Sequence, residues 1–481
     1  MRNLVRCVIA GAIVVAVLAL IFILLLYNPK QKTPDIILFA SGQATDIRQI
    51  AVSNGYGDFL FYFDFDEGGY VTDDIPPFLI DLDAFVDFMA RSSQIAALRA
   101  IPPGNYDLNE TGVSNPSAKV QIEFFDGRYF TLTIGAIERI SGNYYALING
   151  SGIDNSRNYV YIIPQSLAQQ FLLPKTQVIT KYLTPQLQLS SPLSAIRDIT
   201  FTGGSLSAPV IIRSVTGADA ETALAAKSFG TATHIVFGAS RYQLDQAYGI
   251  EVFGSLFAIR GDIVEYDLSD EDFTAYGFDT PYMTVRYDMV NDMSGEITNM
   301  LLRIAAAENG RFYATINDIY AVFIIDRQPF IDIQFEKLIL RWFLTPMLMD
   351  ISGLVVSTPN GSHHFDIDNT NPREPVITHN GQELNVSLFR SFFRLITSAS
   401  HDGTYLGLLP PPVGDPILRL TYIYSSPEKQ SDTLALYPGE ARRANVYVNG
   451  AGEFAMRELF AQRVTEGLEN LILAQPIEEN W

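Results

Sequence analysis

GNYYALIN occupies residues 142–149, and GRFYATIN occupies residues 310–317. Five of the eight positions are identical, and a sixth exchanges Tyr144 for Phe312. Each octet reads as a glycine turn running into a strand. Successive strand side chains point to opposite faces, so Tyr145 and Leu147 share one side while Tyr144 and Ala146 share the other. Alternation of this kind is what a half-buried strand carries. The likeness therefore predicts one packing position present in two copies, not a duplicated active site.

Other echoes keep the same order along the chain. Upstream of the octets stand TGVSNP (111–116) and YGFDTP (276–281), both reading Gly, apolar, any, any, Pro. Gly407, Leu408 and Pro411 supply a third instance. Further upstream, IRQIAV (47–52) is echoed by IRDITF (196–201) and more faintly by ISGLVV (351–356). Downstream, YVYII (159–163) matches AVFII (321–325), with NVYVN (445–449) as the third echo. Preserved order predicts three diverged tandem copies, and a repeat of this length suits a small domain better than a solenoid module. The expected divisions are an anchor over 1–32 and repeats over 33–195, 196–350 and 351–481.

Each copy shows the same coarse grammar. A strand opens it, followed by a β-rich segment such as FLFYF (59–63) and then a helix. In the first copy Leu82, Phe85, Val86 and Met89 form a stripe at helical period, with Asp81 or Asp83 as N-cap. Helices are expected around Leu244–Ile259 in the second copy and Ser387–Thr397 in the third. Asp126-Gly127 joins VQIEFF (120–125) to YFTLTI (129–134) as a hairpin. A terminal helix with Met456, Phe460, Val464 and Leu468 in one row closes the third copy. The predicted class is α+β: one N-terminal transmembrane helix, then about three repeats with mostly antiparallel sheets.

The chain has 481 residues and a net charge of −20, with 33 Lys and Arg against 53 Asp and Glu. That balance argues against nucleic acid, which is bound through clustered basic side chains. Cys7 is the only cysteine, which excludes an intramolecular disulfide and a cysteine-based zinc site.

Residues 7–27 run without a charged or strongly polar side chain. A run of about 20 residues at about 1.5 Å rise spans a hydrocarbon core of roughly 30 Å. A cleaved signal peptide would have a shorter apolar region and small residues at its cleavage site, whereas this run ends in Leu-Leu-Leu-Tyr-Asn-Pro. The expectation is a single-pass anchor in the cell membrane through residues 7–27. Arg2 and Arg6 precede the run while Lys30 and Lys32 follow it, so the charge bias is small. A short basic head before a large acidic body favours an extracytoplasmic body.

The ordered set of Gly-apolar-x-x-Pro turn, strands, Gly-x-Phe-Tyr-Ala strand and closing helix resembles the bacterial membrane-anchored family called domain of unknown function 4340. YGFDTP is similar to that family's Tyr-Gly-Leu-Asp-x-Pro motif, and TLTIG (131–135) to its strand ending in Ile-Gly. The third copy lacks the Gly-x-Phe-Tyr-Ala element. The resemblance implies one N-terminal span, a large extracytoplasmic part and association with gliding-motility-type ABC transporter subunits. It carries over no catalytic residue.

HHFDID (363–368) is the stretch richest in ligand-type side chains. On a strand, His364, Asp366 and Asp368 share one face, which suits a divalent metal in residue type. Neighbours on that face are roughly 6–7 Å apart, too far for three to meet on one ion without bending. FDFDEGG (63–69) alternates Asp64 and Asp66 against Phe63 and Phe65 and ends in a hairpin turn, without calcium-loop spacing. No Gly-x-Ser-x-Gly elbow and no phosphate-binding loop with its lysine occurs. TGGSLS (202–207) reads as a hairpin turn. The sequence therefore points to no catalytic residue, no metal and no cofactor. Its first functional expectation is a non-enzymatic accessory or scaffold protein assisting an ABC transporter complex. A cell-envelope glycan- or peptide-binding module is the alternative, and a carboxylate-dependent hydrolase comes third.

Overall fold

The computed structural model describes residues 36–481, apart from 67, 73–74, 76–78, 188–190, 267, 292–293 and 318–320. The apolar run at 7–27 lies outside the described residues. Among those described, no helix is long and apolar enough to cross a membrane.

Strands dominate. The first large sheet runs, edge to edge, Gly69–Val71, Gly57–Asp64, Ile47–Asn54, Ala118–Phe124, Tyr129–Ile137, Tyr144–Gly150, Val160–Ile163 and Arg99–Ile101. A small sheet pairs Ile37–Ala40 with Ile95–Ala97. The second large sheet runs Arg241–Gln243, His234–Phe237, Val210–Ser214, Ile196–Gly203, Met283–Val290, Ile297–Ala306, Phe312–Ile316, Ala321–Ile325 and Gly261–Tyr266. The third runs Gln382–Glu383, Val376–His379, Gly361–Asp368, Ile351–Thr358, Leu418–Tyr424, Ser431–Pro438, Arg443–Val448 and Ala451–Arg457.

The expected α+β class is thereby corrected to a mostly β fold of four antiparallel sheets. Helices are short covers, the longest described being Leu459–Ile472. Amphipathic helices advertise themselves by a 3.6-residue stripe. The pieces that widen each sheet, such as Arg99–Ile101 and Gln382–Glu383, are too short for a period to show and read as loop.

The three large sheets share one central strand order and differ at their edges. In each, the opening strand pairs on one side with the strand that follows it and on the other with a strand that comes after the helix. Register agrees as well. Ile50, Ile199 and Leu354 lie opposite Ile122, Tyr287 and Tyr422. Val52, Phe201 and Val356 lie opposite Val120, Val285 and Leu420. All twelve side chains are buried. Each opening strand also carries one extra residue near its start, between Ile47 and Gln49, Ile196 and Ile199, and Ile351 and Gly353. Such a bulge bends and twists the strand locally.

The octets hold matching places. Tyr145 lies opposite Ile162 and Tyr313 opposite Ile324, so Val160 and Val322 correspond, and both are fully buried. The third echo needs correction. Leu436 pairs with Val446 as Ile134 pairs with Ala146 and Ile304 with Ala314. Thus NVYVN holds the octet position, one strand earlier than expected. A Val-Tyr-Val alternation suits any half-buried strand and does not identify which one.

By contacts the chain forms two compact units, one ending at Thr180 and one comprising Lys181–Trp481. In the first, the helix Leu82–Ser92 is capped by Asp81, whose side chain accepts from Ala84 N. Its inward residues are Phe85, Phe88, Met89 and Ser92, while Leu82 and Val86 are exposed. The expected stripe is therefore rotated, because Phe88 and not Val86 meets Phe61, with ring centroids 5.5 Å apart. In the second unit the helices Gln246–Gly254 and Val386–Thr397 lie within or near their expected ranges.

Gly112, Gly277 and Gly407 have φ of +71°, +84° and +71°. A side chain in that region is strained, so Gly277→Val should cost about 1–3 kcal/mol. Gly112→Val should cost more. A Cβ there would lie 2.7 Å from Ala136 N, against 3.6 Å from Ala305 Cβ at Gly277. Urea unfolding of both variants tests the ranking, and an unaffected Gly277→Val protein would show that glycine to be incidental.

Candidate functional site

The strand Gly361–Asp368 sets His364, Asp366 and Asp368 on its exposed face, with Phe365 and Ile367 buried behind. His364 Nε2 is 3.6 Å from Asp366 Oδ1. His363 turns the other way, and its Nδ1 lies 3.3 Å from His379 Nε2 on the next strand. Burial and then the neighbouring His363 push the His379 pKa down. No group of three potential metal ligands occurs among the described residues. Asp64 and Asp66 stand beside a hairpin, Asp64 Oδ1 accepting from Asp66 N at 2.8 Å. TGGSLS likewise lies at a hairpin, closed by the Phe201–Val210 pair. None of these places gathers a convergent set of groups.

The convergent groups lie elsewhere, all within Lys181–Trp481. The third sheet ends in Ala451–Arg457, where Val446 faces Phe454 and Tyr447 faces Gly452, leaving Glu453 as the unpaired residue of a bulge. A bulge re-aims a side chain. Here it turns Glu453 away from the ladder towards the edge of the second sheet. Gly452 permits this, because a Cβ there would lie 2.8 Å from the Tyr447 ring.

Glu453 is 5% exposed. Its Oε2 accepts from Tyr242 Oη at 2.8 Å and from Ala239 N at 3.0 Å. Burial and then the Glu453 charge push the Tyr242 pKa well up, so this phenol stays a donor at any physiological pH. Around them packs an aromatic cluster. Phe454 lies 5.3 Å from Tyr405, 5.7 Å from Tyr242 and 6.1 Å from Phe335. Phe335 and Tyr405 flank a cleft of about 540 Å³ that Glu453 also lines. A cleft of that size suits a small organic molecule.

A second polar cluster joins the helix Ala220–Ala226 and its exit to the third sheet. Lys429 Nζ is 2.9 Å from Asp432 Oδ2, and it donates to Ser228 Oγ and to Leu224 O. Tyr424 Oη donates to Asp432 Oδ2 at 2.6 Å, and Asn449 Nδ2 to Oδ1 at 2.9 Å. Every donor on the ammonium and both carboxylate oxygens are engaged, as a buried ion pair requires. The surrounding surface cleft, lined also by Glu221 and Arg241, has about 530 Å³. With its charges mutually satisfied, this cluster fastens two elements together and offers little to a ligand.

Sequence reasoning singled out none of Tyr242, Lys429, Asp432 or Glu453. One signal was present. AGEFAM places a glutamate inside an otherwise apolar strand, and a charge in such a run has to be accounted for. Lys429 and Asp432 sit in EKQSD, which looks like any solvated turn. No protein-family model, curated protein or solved structure matches the chain.

Proposed function

We propose that the chain is a membrane-anchored, non-enzymatic accessory or scaffold protein whose β-rich body lies outside the cytoplasm and assists a membrane complex of the ABC transporter type. The observation that carries this reading is the tandem repetition of one central strand order with the same bulge and register. A framework repeated with diverged edges presents several different surfaces on one chain. That is the economy of an adaptor. The apolar run at 7–27 and the resemblance to a membrane-anchored family associated with transporter loci support the placement.

Crosslinking in intact membranes, followed by identification of the attached proteins, tests it. Transporter subunits should be recovered. Recovery of the chain alone, with none of them in the crosslinked bands, would sink the proposal. The anchor has its own check. The intact chain should stay with membranes through a high-salt wash, because hydrocarbon burial is not screened by salt. A mature N-terminus at or beyond residue 30 would contradict it.

A further inference from the structure

We infer that the cleft floored by Glu453 is a binding site for a small organic cation, a primary ammonium group carried on an apolar stem. This goes beyond the accessory reading and does not depend on it.

Glu453 is an ionisable group nine-tenths buried, yet no Lys, Arg or His lies within ion-pair distance of it among the described residues. The contrast with Asp432 is direct, since that buried carboxylate has Lys429 at 2.9 Å. Burying a carboxylate is costly unless a positive group compensates it. The two hydrogen bonds from Tyr242 and Ala239 both go to Oε2. Oε1 accepts nothing from a described residue.

The surroundings sharpen the class of ligand. The cleft lining holds a second carboxylate, Glu336, and no basic side chain among the described residues. The charged side chains that line the cleft are therefore all acidic, the guanidiniums of Arg213 and Arg241 standing over the Phe237 ring and not in the lining itself. Phe335 and Tyr405 pack against each other, with ring centroids 5.2 Å apart and planes at 58°, and together give the cleft an aromatic wall against which an apolar stem can lie and which a cation can face. Leu408, 73% exposed, stands at the mouth, whereas its counterparts Val113 and Phe278 are buried. A guanidinium seeks both oxygens of a carboxylate through its planar fork. With Oε2 already committed, a single-point contact at Oε1 favours the compact ammonium.

The test uses the full chain in mild detergent and isothermal titration with 2-phenylethylammonium, 2-phenylethanol and phenylacetate, each against a detergent blank. The ammonium should bind at least ten-fold more tightly than the alcohol, and phenylacetate should not bind. Glu453→Gln keeps an oxygen for Tyr242 and Ala239, and should bring the ammonium down to the affinity of the alcohol. Ala208→Trp, at an exposed position lining the cleft, should weaken the ammonium at least ten-fold with an unchanged melting temperature. Equal affinity of ammonium and alcohol in the parent would overturn the proposal. So would an ammonium preference retained in folded Glu453→Gln. Should that variant misfold, unchanged ammonium binding by Ala208→Trp would overturn it equally.

Discussion

Replacing Lys429 by methionine is expected to destabilise the unit Lys181–Trp481 by about 3–5 kcal/mol, the cost of leaving a buried charge without its partner. Methionine keeps most of the side-chain volume, so the loss reports electrostatics more than packing. Asp432 is pulled in opposite directions. Burial raises its pKa, while the Lys429 charge and hydrogen bonds from Tyr424, Lys429 and Asn449 lower it, and the lowering prevails. Its pKa in the folded protein thus lies below the unfolded value. The contribution is fully present above about pH 4 and is lost as pH falls through the depressed folded value. Without Lys429 burial dominates, the folded pKa rises above the unfolded one, and acidification favours the folded state. The stability gap between parent and variant should therefore narrow as pH is lowered towards 4. Urea unfolding at a series of pH values measures this, and a gap independent of pH would refute the electrostatic account. Removing both charges, as Lys429→Met with Asp432→Leu, should recover much of the loss, because no unpaired charge then remains.

The second large effect belongs to the other unit. Phe61 is fully buried, with the rings of Phe85, Phe88 and Phe59 at 5.3, 5.5 and 5.6 Å. Phe61→Ala removes the ring on which the helix Leu82–Ser92 rests, and should cost about 3–5 kcal/mol through lost transfer and the cavity left behind. Amide hydrogen exchange should show the loss in Ile47–Asn54 and Ala118–Phe124, the strands of that core. Phe65→Ala is the control. That residue is 71% exposed, and its replacement should change stability by no more than about 0.5 kcal/mol. Comparable losses for both variants would mean that Phe61 does not anchor the helix.

Repetition was legible because it rests on several short signals kept in order. Gly112, Gly277, the octets and the opening strands needed no knowledge of long-range contacts. The class was misjudged because short edge strands have no period to read. ITKYLTP (179–185) and ILRWFLTP (339–346) echo each other and went unnoticed, though Leu183 N donates to Ile259 O and Phe343 N to Ala399 O in comparable fashion. The Glu453 cleft was illegible for a different reason. Its members are Tyr242, Phe335, Tyr405 and Glu453, spread over two repeats, and only a bulge aims the carboxylate. Neither spacing nor residue type foretells that. The alternation in HHFDID was read as the structure shows it, and it brings no third ligand to His363 and His379.

The central ladder of each large sheet has a consequence for how the chain is made. Ile47–Asn54 leaves the ribosome well before its partner Ala118–Phe124. At roughly 5–20 residues per second the wait is about 3–15 s. Delays of about 4–17 s and 3–13 s at that rate separate Ile196–Gly203 from Met283–Val290 and Ile351–Thr358 from Leu418–Tyr424. Each waiting strand is an open edge to which a later strand of the wrong repeat could attach, and tandem copies are prone to that exchange. The core residues act as a password. Ile50 meets Ile122, whereas Ile199 and Leu354 meet tyrosines, at 287 and 422. A trespassing strand from the second or third repeat would force a phenol ring into the space of an isoleucine in the first. Divergence at this pair thus guards the first sheet during synthesis against a strand of the later repeats, whereas the second and third sheets, which both seat a tyrosine there, are not told apart by it.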